Sequence, residues 1–208
     1  MTTQAQLKDL EDRPRRYWNV DGIPELIMGL VWILWGAALI VGEALPKGPG
    51  ATIYWLVVPA IPVLSGFVAN GVTRRLKERL TYPRTGYVAY ADPGPRARLL
   101  TGLMVVLSAA ALAALIVTGR AAGLEHSVGP VFGVLISLAF VVASVRQHAP
   151  HFLALAGVAL ALAVAFAVLK LGWTSMSWLF VWLGIAATAL GGWRLRRYLH
   201  QHPAEQQA

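Results

Sequence analysis

The sequence predicts an all-α integral membrane protein: a bundle of six transmembrane helices, both termini cytosolic, with a structured cytosolic loop between helices 2 and 3. Three observations carry that expectation. The 208 residues are 57% hydrophobic and only 13% charged, against roughly 25% charged in a soluble domain, and the mean hydropathy is +0.58. The apolar residues gather into runs close to the roughly 20 that a helix needs to cross about 30 Å of hydrocarbon. The Lys and Arg between those runs are divided very unequally between alternate sides. In lipid a helix closes its backbone hydrogen bonds within one segment, whereas a barrel would show alternating polarity that these runs lack.

The runs lie at 24–41, 53–72, 99–119, 129–145, 152–171 and 176–192. Together they make a transmembrane domain over 23–198, after a cytosolic segment at 1–22 and before a tail at 199–208 expected to be disordered. The first run follows Asp21 and Gly22, with Pro24 and Glu25 placed in a first helical turn and Asp21 as its cap. No small-residue cleavage site follows, so it is read as a retained span. PKGPG at 46–50 ends it. The second run carries Pro59 and Pro62, expected to kink it, and its helical spacing continues into the loop at 73–98. GRAAGLEHSVGP at 119–130, RQHAPH at 146–151 and GWTS at 172–175 separate the later runs, each with residues that end helices or turn sharply. Span five reads ALALAVAFAV, and span six carries Gly184, Ala187, Gly191 and Gly192. Small residues of this kind let helix backbones approach closely, within one chain or between copies in a homo-oligomer.

With six spans, one side of the membrane receives only Lys47, Arg120 and Lys170 of the 18 Lys and Arg. The rest, on the side of both termini, mark that side as cytosolic. The net charge of +8 is mostly this asymmetry and suits an anionic inner leaflet; nucleic acid is not expected as a partner. There is no cysteine, hence no disulfide, thiolate metal site or cysteine nucleophile.

An ionisable group at the centre of a span costs at least about 2.5 kcal/mol and marks a functional site by default. None lies there: Glu25 and Glu43 flank span one and Lys170 ends span five. That argues against an ion-coupled transporter. Trp32 and Trp35 lie near mid-depth in span one, where they face lipid, pack, or line a cavity. Ser65 has no histidine within any span to activate it, and Pro150 interrupts the His148/His151 pair. Those histidines, with His200 and His202, are read as solvated loop residues. No glycine-rich nucleotide fingerprint occurs, and the two halves show no convincing repeat. No catalytic residue, metal site or cofactor is expected.

Two stretches remain, both at the cytosolic face. In RYWNVDGIPEL, Asp21 and Glu25 stand four apart and can share one helix face. In RLKERLTYPRTGYVAY at 75–90, together with Arg74, a basic helix end holds Arg74, Arg75, Lys77 and Arg79 within reach of lipid head groups. Pro83 then stops the helix, biasing Tyr82 to an extended conformation, and TGYVAY has the content of a short strand closed by DPGP. The candidate binding cluster is Asp21, Glu25, Arg74, Arg75, Lys77, Arg79, Tyr82, Arg84 and Tyr87.

TYPRTGYV at 81–88, with YWNVDGIPEL upstream and a glycine-bearing first span, resembles an uncharacterised family of small multi-pass bacterial membrane proteins. The resemblance implies the bacterial cytoplasmic membrane and a pairing of these two motifs, and it brings no reaction. It leads to the expectation that Asp21 or Glu25 contacts Arg84 or Arg79. The function expected is a non-enzymatic membrane scaffold or regulatory protein that docks a protein or anionic lipid at its cytosolic face. The alternatives are a small permease for a neutral or lipid-like substrate, lined by Trp32, Trp35 and the kinked second span, and an interfacial enzyme built on Asp21, Glu25 and Arg84.

Overall fold

The computed structural model describes residues 21–58, 60–82, 124–147 and 149–203. Its regular elements are helical throughout: α1 (Ile23–Ala44), α2 (Pro49–Val57), α3 (Ala60–Leu80), α4 (Val128–Gln147), α5 (His151–Leu169) and α6 (Thr174–Gln201), with a 3₁₀ turn at Glu125–Ser127 leading into α4. Taking α2 and α3 as one run from Pro49 to Leu80, five helices are long and apolar enough to cross a membrane. These are the segments expected at 24–41, 53–72, 129–145, 152–171 and 176–192. The run at 99–119, the strand expected within 85–90, Arg84 and Tyr87 lie outside the described residues.

Pro62 of the second span acts through the backbone. Pro62 has no N–H to give the carbonyl of Val58 four residues back. That carbonyl instead accepts from the N–H of Ile61 at 3.1 Å, and the helix is interrupted between α2 and α3.

α1 lies along α6 because glycines recur on facing stripes every seven residues, close to two helical turns: Gly22, Gly29 and Gly36 against Gly184 and Gly191. A Cβ on Gly184 would stand 2.7 Å from the Gly29 carbonyl oxygen, and one on Gly36 would stand 2.8 Å from that of Ser177. Backbone contact of this kind replaces the hydrophobic drive that lipid removes. α4 uses the same device on α5, Gly133 facing Ala163. Between the layers Leu155, Ala159, Leu183 and Ala187 are buried completely or nearly so.

Trp35 is buried and lies 4.2 Å from Phe180 between ring centroids. Trp32 is half-buried, edge-on to Phe140 at 5.7 Å. Both tryptophans therefore pack, and of the two only Trp32 also borders a groove. At the far end Tyr54 donates to the Ala38 carbonyl at 2.6 Å, and the Ser177 hydroxyl donates to Glu43 at 2.7 Å.

α6 runs three residues into the tail expected to be disordered from 199. Tyr198 is buried, and the ring of His202 stacks on it at 4.6 Å, which holds the last turn in place. α3 is the opposite case. Among its described residues only Thr73 and Lys77 are buried, and both belong to its last two turns. It is fastened to the bundle chiefly by that end.

Candidate functional site

The site assembles where the start of α1, the end of α3, the start of α5 and the last turns of α6 meet. The VDGIPEL stretch is built for this place. Asp21 accepts the N–H of Ile23 through Oδ1 at 3.2 Å, tying the chain as it enters the helix. Gly22 follows with φ 76°, and a Cβ there would stand 2.5 Å from the Gly191 carbonyl oxygen, so glycine answers both the left-handed turn and the close approach. Pro24 occupies the first turn, where its missing N–H costs nothing.

Asp21 is fully buried, and its second oxygen, Oδ2, meets α3. Lys77 Nζ lies 2.8 Å away with its side chain 2% exposed, and the Thr81 hydroxyl donates to the same oxygen at 3.0 Å. One carboxylate thus binds a backbone amide of its own helix start, a side chain of α3 and one just beyond its end. Glu25, one turn further along α1, is 1% exposed and has its partners on α5 and α6. Its Oε1 accepts from Arg194 of α6 at 2.9 Å and from His151 Nε2 of α5 at 2.5 Å, which requires that nitrogen to carry the proton. Its Oε2 is buried and makes no hydrogen bond among the described residues. Two adjacent carboxylates therefore join four helix ends, with a cation set against each. Pairing is required here, since an isolated buried charge would cost several kcal/mol.

Of the expected cluster the structure brings together Asp21, Glu25 and Lys77; Arg84 and Tyr87 lie outside the described residues. Arg79 is exposed, and among the described residues the cation on Asp21 is Lys77 instead. Positions 73 and 77 share the inward face of α3, whereas Arg75 and Arg79 point outward. Arg74 forms an exposed pair with Glu78 at 2.9 Å. Tyr82 is half-buried.

His151 corrects a sequence reading. It was expected in solvent, yet it stands at the first position of α5, its side chain 13% exposed, against Glu25. Pro150 sits at the helix boundary, as expected of a residue that breaks the helix there, and α5 begins at His151. Arg194 was not singled out, although a signal exists. It lies three residues beyond Gly191, so extending the glycine stripe of α6 by one turn reaches it.

Five further arginines at this end, Arg75, Arg79, Arg146, Arg196 and Arg197, are exposed, the last lying 5.6 Å over the ring of Trp193. Among the described residues no three His, Asp or Glu side chains are placed to hold a metal ion. Among the described residues the arrangement is that of a structural clamp with exposed cations around it. The chain matches no family model, and neither a curated protein nor a solved structure shows detectable similarity to it.

Proposed function

We propose that this chain is a non-enzymatic scaffold or regulatory protein of the bacterial cytoplasmic membrane. Both termini are cytosolic in this reading, and the basic end docks an anionic partner, lipid head groups in preference to a protein. One observation carries it: Asp21 and Glu25 take up Lys77 and Arg194, so the positive charge presented outward comes from arginines that the fold does not consume. Each Lys or Arg near an anionic leaflet contributes about 1 kcal/mol of attraction.

Native mass spectrometry of the gently extracted protein tests it, comparing wild type with a variant in which Arg75, Arg79, Arg196 and Arg197 are replaced by Gln. Anionic lipid retained by the wild type and lost by the variant, at equal folding, is the expected result. Equal retention rejects the reading, and a co-purifying protein lost in its place moves the assignment to a protein partner.

A groove between α1 and α3, bordered by Trp32 and Pro62, favours the permease as the second reading. Transport of a lipid-like tracer into proteoliposomes, abolished by Gly66→Leu, would select it over the scaffold.

A further inference from the structure

The groove between α1 and α3 has a volume of about 290 Å³. Ile27, Val31 and Trp32 form one wall and Pro62, Gly66 and Asn70 the other, with Pro24 and Thr73 at the end nearest the charged clamp. From Thr73 to Pro62 is 11 residues of helix, about 16 Å at 1.5 Å per residue. Half of a 30 Å hydrocarbon core is about 15 Å. The groove, with one end at the basic side, is therefore about as long as one leaflet is deep.

Its chemistry is graded along that length. The deep part is apolar, and among the described residues a Cβ on Gly66 would meet nothing within 4 Å. One turn nearer the basic end Asn70 exposes an amide on the same wall, with no hydrogen bond among the described residues. One further turn along is Arg74, beside Glu78 and with 73% of its own side chain exposed. Apolar wall, amide and guanidinium follow in the order of acyl chain, glycerol ester and phosphate.

We infer that this groove holds one acyl chain of an anionic glycerophospholipid from the leaflet at the basic end, with Asn70 on the ester region and Arg74 on the phosphate. The inference rests on the reading of the basic end as a lipid-docking face, and it adds a defined site within the span.

Phosphatidylglycerol carrying a diazirine at the end of one acyl chain, in phosphatidylcholine vesicles with the full-length protein, is the probe; phosphatidylcholine with the same label is its control. Cross-links from the anionic probe are expected on the stretches around Trp32 and Gly66. Gly66→Leu, which adds a side chain to the groove wall, should abolish them, and Arg74→Gln should lower apparent affinity about fivefold. Equal cross-linking by both probes, or cross-links unchanged in Gly66→Leu, overturns the site. If the cross-links are absent while the four-arginine variant still loses anionic lipid, the groove fails and the basic face stands. Loss of neither effect in the variants retires both.

Discussion

Asp21 has its charge answered from another helix, and so does Glu25, but the two differ in how much they should matter. Lys77 and Asp21 are almost wholly enclosed, and removing one member of such a pair costs about 3–5 kcal/mol because the other charge is left desolvated. Asp21→Ala is therefore expected to lower thermal stability in detergent strongly, and Asp21→Ala with Lys77→Met should cost less than the sum of the two single changes. Additivity in that double-mutant cycle would show that the two residues do not act as a pair. Glu25→Gln keeps the shape while weakening charge-assisted bonds to Arg194, with an expected loss of about 1.5–3 kcal/mol in the same unfolding assay. Glu25 was legible from the sequence because first turns leave a local pattern, and Asp21 because it stands at the helix entry, although the cap expected of it falls to Gly22, with no side-chain cap bond. Their partners were not, since the contacts span 60 residues to Thr81, 126 to His151 and 169 to Arg194, and nothing local encodes such pairings.

Among the elements, α1 and α6 form the rigid pair and α3 the loosely held one. Gly184→Ala puts a methyl group 2.7 Å from the Gly29 carbonyl oxygen and should destabilise by about 1–3 kcal/mol. Gly157→Ala, where the added methyl meets nothing within 4 Å among the described residues, should be neutral or stabilise by up to about 1 kcal/mol through helix propensity. Parallel melting curves of the two variants check the contrast. Because α3 is fastened near Lys77, Lys77→Met should raise amide hydrogen exchange over 60–80 while leaving α6 protected; a uniform rise across both helices would count against this division. Helix positions were readable because apolar length and turn residues are local properties. Which side of α3 faces inward was less so: every basic residue from 74 to 79 looks alike as a charge, and only packing separates buried Lys77 from exposed Arg75 and Arg79.

For the whole molecule, the contacts of Asp21 and Glu25 gather at one end the start of α1, the end of α3, the start of α5 and the last turns of α6. It is the end to which the sequence assigns most of the Lys and Arg. Charge asymmetry was legible without coordinates because it needs only the order of spans and loops. The clamp beneath it was not, because it depends on side chains brought together from helices distant in sequence. The reading of this end as a cytosolic, anion-docking face rests on which way the bundle points. The absence of native cysteine gives a direct measurement: Lys47→Cys and His200→Cys, both at exposed positions on α1–α2 and α6, treated with a membrane-impermeant maleimide on intact inner-membrane cells after outer-membrane removal. Labelling of Lys47→Cys, with His200→Cys protected until the membrane is opened, is the expected result. The reverse pattern would place the basic end outside the cell, and the assignment of that end to the anionic inner leaflet would be contradicted.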